Sequence, residues 1–372
     1  MRKILIIYNG YLNRGGGVVT HLNNLKNELE KRNIEVNVWS RDKLNKLNYV
    51  SMALLQRLGD IIKPGWGYLL FVNRTRRLIK KFIKENKPEI VIFEDIFLPD
   101  KTFNCKWIAF LHAIYGDPVQ SLGNRKFINL KQINIEKYAK NIRICEEKEI
   151  INKKEKIYTV SNEFSKKIEE FYKLDFKIGV IENFLSSDTI ATFRKASNLN
   201  KGNRTIDFIY TGVFNKRKNL QFIIEVFKLL KEKYRFEPSL YLIGDGLEKD
   251  TLEKEIRESN LANIILHPFI QDKYELAQIL LRSKAFLLAS LDESFSYSLA
   301  EAKLCGLYTF VNKDLTIPEY LIDYRLPLNK EIWCEKIVEF IRNYSGPSES
   351  EKYYEILDGT KKIDELLSKI MY

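Results

Sequence analysis

Short apolar runs rich in Ile, Val, Phe and Tyr recur along this chain, and longer segments with helical periodicity separate them. Such runs are typical of parallel strands that helices cover on both faces. In the first half they predict strands at 3–8, 35–39, 90–93, 107–112, 157–160 and 178–181. In the second half they predict strands at 207–210, 240–243, 264–266, 285–288 and 308–311. The pattern therefore predicts an α/β fold with doubly wound parallel sheets.

The alternation breaks once, over the polar stretch 186–205, and the run 206–212 then restarts it like a new first strand. We therefore expect two domains, 1–187 and 188–349, with a ligand site in a cleft that faces the carboxyl ends of both sheets. A chain of 372 residues is long enough for two such cores. A final helix at about 350–372 is expected to pack back onto the first domain.

Cysteine and histidine usage argues against a metal or disulfide framework. The four cysteines lack any Cys-x-x-Cys spacing, and the three histidines are scattered along the chain. We therefore predict no zinc site and no metal cluster, and we expect no cofactor. The apolar run at the amino terminus is only about five residues long and fits a first strand better than a signal peptide. We expect the protein to be cytoplasmic, with the inner face of the cell membrane as an alternative location.

The net charge of +12 calls for an explanation. Nucleic acid, anionic lipid and phosphorylated substrates are candidate partners, and a solvated lysine-rich surface is the plain alternative. No nucleic-acid recognition motif is found, so that partner is not expected. The segment 73–87 holds seven basic residues and one acidic residue. It predicts either a basic amphipathic helix on an anionic membrane or an ordinary packed helix; its apolar face comprises Phe71, Leu78, Ile79, Phe82 and Ile83.

Two glycine-bearing segments follow predicted strands. Asn9–Gly17 ends in three consecutive glycines before a helix, where backbone amides can approach an anion. A tight turn alone needs only one glycine. Ile243–Gly246 reads Ile-Gly-Asp-Gly and either lines a nucleotide pocket or forms a common turn.

Two charged segments follow other strands. In Gly212–Asn219, three consecutive cations either face a phosphate or form a charged surface turn. In Asp292–Gly306, Glu293 is expected in the loop and Glu301 about one turn inside the following helix. Carboxylates accept hydrogen bonds from vicinal hydroxyls, so this pair can hold a ribose and a hexose, while the helix start meets a diphosphate.

In this order and spacing, the segments resemble the retaining GT-B glycosyltransferases of the large group four class. The resemblance rests on GGGVVTHLNNLKNELEKRNIEV, KIYTVSNEF, VIENF, YTGVFNKRKNL, LYLIGDGLEKDTLEKEI and ESFSYSLAEAKLCG. It implies two Rossmann-like domains that face a central cleft. It also implies metal-independent transfer of a hexose-type sugar from a nucleotide-sugar, with UDP favoured. The acceptor would be a glycan, a lipid-linked molecule or a protein, in cell-surface polysaccharide or glycoconjugate synthesis.

The resemblance also assigns residues. Glu301 would bind the donor ribose, Glu293 the hydroxyls of the transferred sugar, and Lys218 the departing diphosphate. His112 would lie near the transferred sugar, although a core histidine fits the same position. Glu293, His112 and Lys218 are the implied catalytic residues. The implied donor-binding residues are Gly16, Gly17, Gly212, Lys216, Arg217, Lys218, Gly244, Glu293, Ser294, Phe295, Ser296 and Glu301, and the acceptor-side or interdomain residues are Asn183 and Glu319.

Departures from the family pattern leave alternatives open. Val213 stands where the family usually has arginine, and Lys216 or Arg217 is a candidate to replace that charge. Ser294 and Phe184 replace glycines, and the Gly-Gly expected before Pro318 is absent. A non-catalytic GT-B subunit that binds another glycosyltransferase is therefore a second interpretation. A nucleotide-sugar epimerase on the same fold matches the second-half motifs less well.

Overall fold

The computed structural model describes residues 2–62, 66–94, 103–114, 148–152, 156–199 and 202–371. These residues form two compact units. The first contains the chain up to Phe184 and the segment from Gly359 onward, and the second contains Leu185–Asp358. Each unit holds one six-stranded sheet in which all neighbouring strands are parallel. The predicted pair of doubly wound sheets is confirmed.

The strands follow the predicted runs closely. The first sheet has the order β2-β1-β3-β4-β5-β6, with β1 Lys3–Ile7, β2 Glu35–Trp39, β3 Ile90–Phe93, β4 Trp107–Leu111, β5 Ile157–Thr159 and β6 Gly179–Val180. The second has the order β12-β11-β10-β7-β8-β9, with β7 Ile206–Thr211, β8 Leu240–Ile243, β9 Ile264–His267, β10 Ser283–Leu288, β11 Tyr308–Asn312 and β12 Tyr324–Leu326. Strands β3 and β4 are buried along their whole length, as parallel strands covered on both faces must be.

The described helices are α1 Gly17–Glu30, α2 Lys46–Ile62, α3 Trp66–Asn86, α4 Asn162–Tyr172, α5 Ser187–Leu199, α6 Leu220–Tyr234, α7 Lys249–Glu258, α8 Lys273–Leu281, α9 Tyr297–Leu304, α10 Lys330–Arg342, α11 Glu351–Ile356 and α12 Gly359–Met371. Among the residues described, no helix combines the length and apolar character needed to cross a bilayer.

Helix α5 occupies the polar stretch that was expected to interrupt the pattern. Its buried residues are Ile190, Phe193 and Ala196, which recur every three positions and lie on one face. Three small or apolar contacts are therefore enough to anchor a helix whose remaining surface is polar. The chain divides at Phe184 and Leu185, just before this helix.

The last segment, predicted as a single helix at about 350–372, is two helices in different units. Helix α11 belongs to the second unit, where Arg194 reaches Glu351 at 2.6 Å. Helix α12 belongs to the first unit and lies against α1. Arg32, just after α1, links α1 to α12, because its guanidinium donates to Asp364 at 2.9 Å and to the Thr360 carbonyl at 2.6 Å.

The apolar face predicted for membrane contact packs within the first unit. Ile79 is fully buried, and Leu78, Phe82 and Ile83 are partly buried. The Arg41 guanidinium lies 4.6 Å from the ring centre of Phe71. This apolar face is therefore occupied by packing within the unit, as the packed-helix alternative describes.

Each sheet has one switch point, where the chain stops adding strands on one side of the first strand and starts on the other side. In the first sheet the chain leaves β1 for β2 on one side and later reaches β3 on the other. In the second sheet the same change separates β7 from β10. At such a switch point the loops after the two strands diverge and leave a crevice at their carboxyl ends, where ligands bind.

Glycine is required where two loops touch at the carboxyl edge of the second sheet. Gly244 has φ +156°, and a Cβ atom there would lie 1.9 Å from the Gly212 carbonyl oxygen. The Ile-Gly-Asp-Gly segment therefore has a packing role, whatever else it contacts.

We predict that Gly244→Ala destabilises the protein much more than Gly346→Ala. Gly346 has a similar φ of +150° but no atom within 4 Å of its Cβ position, so it isolates the backbone cost. The control should lower the free energy of unfolding by about 1–2 kcal/mol. Gly244→Ala should lower it by at least about 2 kcal/mol more, because the loops must separate. Urea unfolding followed by circular dichroism measures both, and equal losses would contradict the packing argument.

Candidate functional site

The loops after β7 and β10 are tied together at the switch point of the second sheet. The Leu291 amide donates to the Arg217 carbonyl at 2.8 Å, and the Arg217 guanidinium donates to the Asp292 carbonyl at 2.8 Å. Asn219 donates from its side chain to the Ala289 carbonyl at 3.2 Å. These bonds fix the cation-bearing loop against the loop that carries Glu293.

Lys218 and Glu293 form an ion pair where the two loops meet. The Lys218 ammonium donates to Glu293 Oε1, and a guanidinium nitrogen of Arg217 lies 3.8 Å from Glu293 Oε2. Glu293 is only 9% exposed, and burial by itself would raise its pKa. Lys218 and Arg217 outweigh that effect and hold the pKa below its ordinary value. The site therefore keeps an ionised carboxylate between two cations.

The geometry of the cation-bearing loop explains why only two of its three cations reach Glu293. Residues Lys216–Lys218 form a single 3-10 turn, capped by Asn215, whose side-chain oxygen accepts from the Lys218 amide at 3.1 Å. This turn leaves Lys216 exposed, while Arg217 and Lys218 are partly buried. Val213 is 43% exposed and brings no charge to the loop. Of Lys216 and Arg217, the two candidates to replace the arginine expected at Val213, only Arg217 lies beside Glu293.

Glu301 is buried in helix α9 and pairs with a lysine from another element. Its Oε1 lies 2.5 Å from the Lys273 ammonium, and Lys273 begins helix α8. Glu301 is 4% exposed, whereas the Lys273 side chain is 43% exposed. The exposed lysine can exchange its contact for a ligand anion, which would free the carboxylate for hydroxyl groups.

The residues between the two glutamates start helix α9. Ser296 is the cap, because its hydroxyl accepts from the Leu299 amide at 3.3 Å. Phe295 is buried and Ser294 is partly exposed. Phe295 therefore anchors the loop, and Ser294 is the more accessible of the two.

The remaining predicted residues of the second unit lie along the same sheet edge. Gly212 follows β7, Gly244 follows β8, and Glu319 follows β11; β8, β7, β10 and β11 are consecutive neighbours in the sheet. The Glu319 carboxylate is 68% exposed and pairs with Arg325 at 2.6 Å. A pocket of about 530 Å³ lies elsewhere, around Arg204 at the amino-terminal edge of the strands. The candidate site is the carboxyl edge of the sheet, because Lys218, Arg217 and Glu293 converge there.

A buried polar cluster lies at the carboxyl edge of the first sheet. His112 follows β4, and its Nε2 lies 2.7 Å from Oε2 of Glu94, which follows β3. His21, on α1, has its Nε2 3.5 Å from the same oxygen. The other ring nitrogen of His21 lies 2.7 Å from Oδ1 of Asn183. His21, Glu94 and Asn183 are all less than 5% exposed.

Burial controls the charge of this cluster. It lowers the pKa of His21 to about 4 and that of His112 to about 3, and it raises the pKa of Glu94 to about 7. Both histidines are therefore neutral at neutral pH. Because an amide oxygen only accepts, the Asn183 contact assigns the His21 proton to Nδ1. Asn183 thus orients His21 inside the first unit.

Two histidines that lie far apart in the sequence come together beside Glu94. His21, Glu94 and His112 place one ligand atom each within 4.8 Å of one another. These donor types also occur in zinc sites. The 2.7 Å separation of Glu94 and His112 is that of a hydrogen bond, so the described geometry is a hydrogen-bonded network.

The glycine loop before α1 is open. Gly15 and Gly16 have φ of +64° and +103°, so two of the three glycines are required by the backbone. No atom lies within 4 Å of a Cβ position at Gly15, Gly16 or Gly17. Contacts within the protein therefore do not explain the third glycine, and the space beside Gly16 and Gly17 is accessible to a ligand.

Two protein families match the sequence in succession. Residues 15–188 match the family described as Glycosyltransferase Family 4, and residues 190–341 match Glycosyl transferases group 1. The chain belongs to the GT4-like glycosyltransferases of the GT-B fold. The resemblance to GT4-like glycosyltransferases of the GT-B fold, inferred from the motifs, is confirmed.

Solved structures agree with this fold. Sucrose-phosphate synthase from Thermosynechococcus elongatus superposes with a TM-score of 0.70 at 13% identity, over 99% of this chain and 98% of that one. The lipopolysaccharide outer core galactosyltransferase WaaB has a TM-score of 0.64 at 16% identity, over 99% of each chain. Anabaena HepE, solved with UDP and glucose, has a TM-score of 0.64 at 14% identity over both complete chains.

A curated relative matches only in part. An uncharacterized 41.2 kDa protein in the cps region of Klebsiella pneumoniae is 27% identical over 151 residues. The match covers 40% of this glycosyltransferase and 39% of the relative.

We predict that Lys218→Met lowers the free energy of unfolding of this glycosyltransferase by about 2–3 kcal/mol at pH 7, because it removes the hydrogen-bonded one of the two cations beside the buried Glu293 carboxylate. The pKa of Glu293 in the folded protein lies below its ordinary value of 4.5. Ionised Glu293 therefore stabilises the folded state above pH 4.5, and this stabilisation is lost as the pH falls through the folded-state pKa. The loss caused by Lys218→Met should therefore shrink at pH 4, where Glu293 takes a proton in the variant.

Lys233→Met is the matched control. Lys233 pairs with Glu331 on the surface of the same unit, with side chains 53% and 62% exposed. Its loss should stay below about 1 kcal/mol at pH 7. Urea unfolding at pH 7 and pH 4 measures both variants, and a Lys218→Met loss that is equally large at pH 4 would be inconsistent with the ion pair.

Proposed function

We propose that this glycosyltransferase transfers a hexose-type sugar from a nucleotide-sugar to the hydroxyl group of an acceptor, with retention of the anomeric configuration. The observation that carries the proposal is the placement of Glu293 between Lys218 and Arg217 at the switch point of the second sheet. A diphosphate needs cations, and the hydroxyls of a sugar need a carboxylate. Both are present within one hydrogen-bonded pair of loops.

In the proposed reaction the bond from the anomeric carbon to the diphosphate breaks, and negative charge develops on the leaving group. Lys218 neutralises that charge by turning from Glu293 toward the diphosphate, while Arg217 keeps Glu293 ionised. Glu293 then accepts hydrogen bonds from the sugar hydroxyls, and Glu301 from the ribose. The acceptor oxygen attacks from the face that the diphosphate leaves, and its proton passes to a donor phosphate oxygen. No metal takes part.

His112 is proposed to lie beside the transferred sugar. Its lowered pKa makes it a neutral hydrogen-bonding group rather than a cation. Glu94 fixes the ring through its 2.7 Å contact, and His21 and Asn183 complete the support. His112 is therefore the substrate-facing member, and the other three residues position it.

The donor nucleotide and the acceptor class are proposed from a similar solved structure and from the sequence motifs. UDP is the proposed nucleotide because the structure of HepE contains UDP and glucose. The proposed acceptor is a glycan, a lipid-linked molecule or a protein, in cell-surface polysaccharide or glycoconjugate synthesis. The motif resemblance supports that assignment.

A non-catalytic partner subunit is the second candidate, and the neutral Val213 is the observation that favours it. A subunit that only binds another glycosyltransferase has no need for an ionised carboxylate between two cations. Slow hydrolysis of a nucleotide-sugar by the purified chain alone would separate the two functions, because the subunit would release no nucleotide.

We predict different kinetic effects for the two glutamates. Glu301→Gln should weaken donor binding by roughly 10–100-fold, because it replaces a charged acceptor of ribose hydrogen bonds. Glu293→Gln should lower kcat by at least about 100-fold with a smaller change in donor affinity. Thermal shift with UDP-, GDP-, ADP- and dTDP-sugars first identifies the donor. Steady-state kinetics then compares both variants with Glu331→Gln, an exposed surface control, and unchanged kinetics in both would remove the site assignment.

We predict that the product keeps the anomeric configuration of the donor. Proton NMR of the freshly formed product measures the coupling constant of the anomeric proton, with EDTA present because the proposed reaction uses no metal. An inverted configuration would refute the retaining mechanism. Loss of activity in EDTA that added zinc restores would instead place an ion in the reaction.

A further inference from the structure

Helix α2 carries a row of exposed apolar side chains. Leu47, Val50, Leu54, Leu58 and Ile61 recur every three or four residues and therefore lie on one helix face. We call these five residues the apolar stripe. Leu47 is 81% exposed and Ile61 is 69% exposed, and the other three are between 46% and 54% exposed. Leu55, Ile62, Trp66 and Leu70 widen the exposed apolar surface into the start of α3.

The apolar stripe is not exposed because of poor packing between α2 and α3. On the opposite side of α2, Met52 is 2% exposed, and α2 packs tightly along α3. Gly59 approaches Gly67 so closely that a Cβ atom would lie 2.7 Å from the Gly67 amide nitrogen. The hairpin is therefore well formed, and its outward apolar face is additional surface of the kind that marks an interaction site.

Positive charge is concentrated on the same hairpin. Residues 46–86 contain nine Lys and Arg and two Asp and Glu, a net charge of +7 out of +12 for the whole chain. Arg77, Lys81 and Lys84 are exposed and continue the helix face that begins with Trp66 and Leu70. The exposed face of α3 therefore changes from apolar to cationic along its length.

We propose that this hairpin lies flat on an anionic lipid bilayer, with the apolar stripe among the acyl chains and Arg77, Lys81 and Lys84 at the phosphate headgroups. An exposed apolar row and an exposed cationic row on one hairpin match the two layers of a membrane interface. A second copy of this chain is a poorer occupant, because it would bring two segments of net charge +7 together. The docking surface is thus α2 with the exposed face of α3, and not the buried face of 73–87.

Docking does not depend on catalysis, so it can be tested apart from the proposed function. If sugar transfer is also established, the surface favours a lipid-linked acceptor among the three proposed classes. That last step rests on the proposed function, whereas vesicle binding does not.

Tryptophan fluorescence gives the first test. Trp66 is 44% exposed, whereas Trp39, Trp107 and Trp333 are each 3% exposed or less. Vesicles of phosphatidylcholine with phosphatidylglycerol should shift the emission of the full chain to shorter wavelength, and brominated lipids should quench it. Phosphatidylcholine vesicles alone should do so weakly. Both signals should be lost in Trp66→Phe, which retains the buried tryptophans.

Co-sedimentation with the same vesicles tests the apolar stripe and the three cations of α3 separately. Leu54→Ser with Leu58→Ser and Ile61→Ser should weaken vesicle binding at least tenfold. Arg77→Gln with Lys81→Gln and Lys84→Gln should weaken binding to anionic vesicles by about 100-fold, roughly fivefold for each charge. The matched control substitutes serine for Leu199, Leu247 and Phe269. These residues are as exposed as those of the stripe variant but lie in the second unit, so the control should bind normally.

Because every substituted residue is exposed, circular dichroism should show unchanged folding. Absence of binding to anionic vesicles, or binding that the stripe variant retains, would overturn the proposal. Dimerisation of the wild-type chain that the stripe variant abolishes, without any vesicle binding, would overturn it too and would assign the surface to a second copy.

Discussion

Burying the Glu293 carboxylate is the constraint around which the second unit is arranged. A carboxylate that is 9% exposed needs compensating charge, and the loop after β7 supplies it through Lys218 and Arg217. That loop is held in turn by backbone bonds to the loop after β10 and by the close contact of Gly212 with Gly244. The ion pair, the loop conformation and the switch point are therefore parts of one arrangement, which the order of the strands makes available.

The first unit buries its polar residues in a different way. The buried cluster consists of His21, Glu94, His112 and Asn183, and none of these four is a lysine or an arginine. Desolvation drives both histidines and the carboxyl group toward their neutral forms. Hydrogen bonds between neutral groups then hold the cluster together. One sheet edge thus presents fixed charge, and the other presents neutral donors and acceptors.

Much of this could be predicted from the sequence, because parallel strands that are covered on both faces appear as apolar runs. Strand β12 was missed because its three residues, Tyr-Arg-Leu, lie at a sheet edge and form no apolar run. The convergence of Lys218 and Glu293 follows from the rule that carboxyl ends of neighbouring parallel strands meet. Lys273 and Glu94 could not be predicted in this way. One is a lysine at a helix start among 61 basic residues, and the other is a single acid at the end of a buried strand.

The division of the last two helices between the units has a consequence for biosynthesis. Helix α11 completes the second unit, and α12 then supplies the first with Ile363, Leu366 and Ile370, all buried. Domains generally fold as units in the order in which they leave the ribosome. Here the unit that starts the chain lacks one of its packing helices until the whole second unit has been translated. The second unit has its whole sequence earlier, so the amino-terminal half of this glycosyltransferase is the last to reach its final packing.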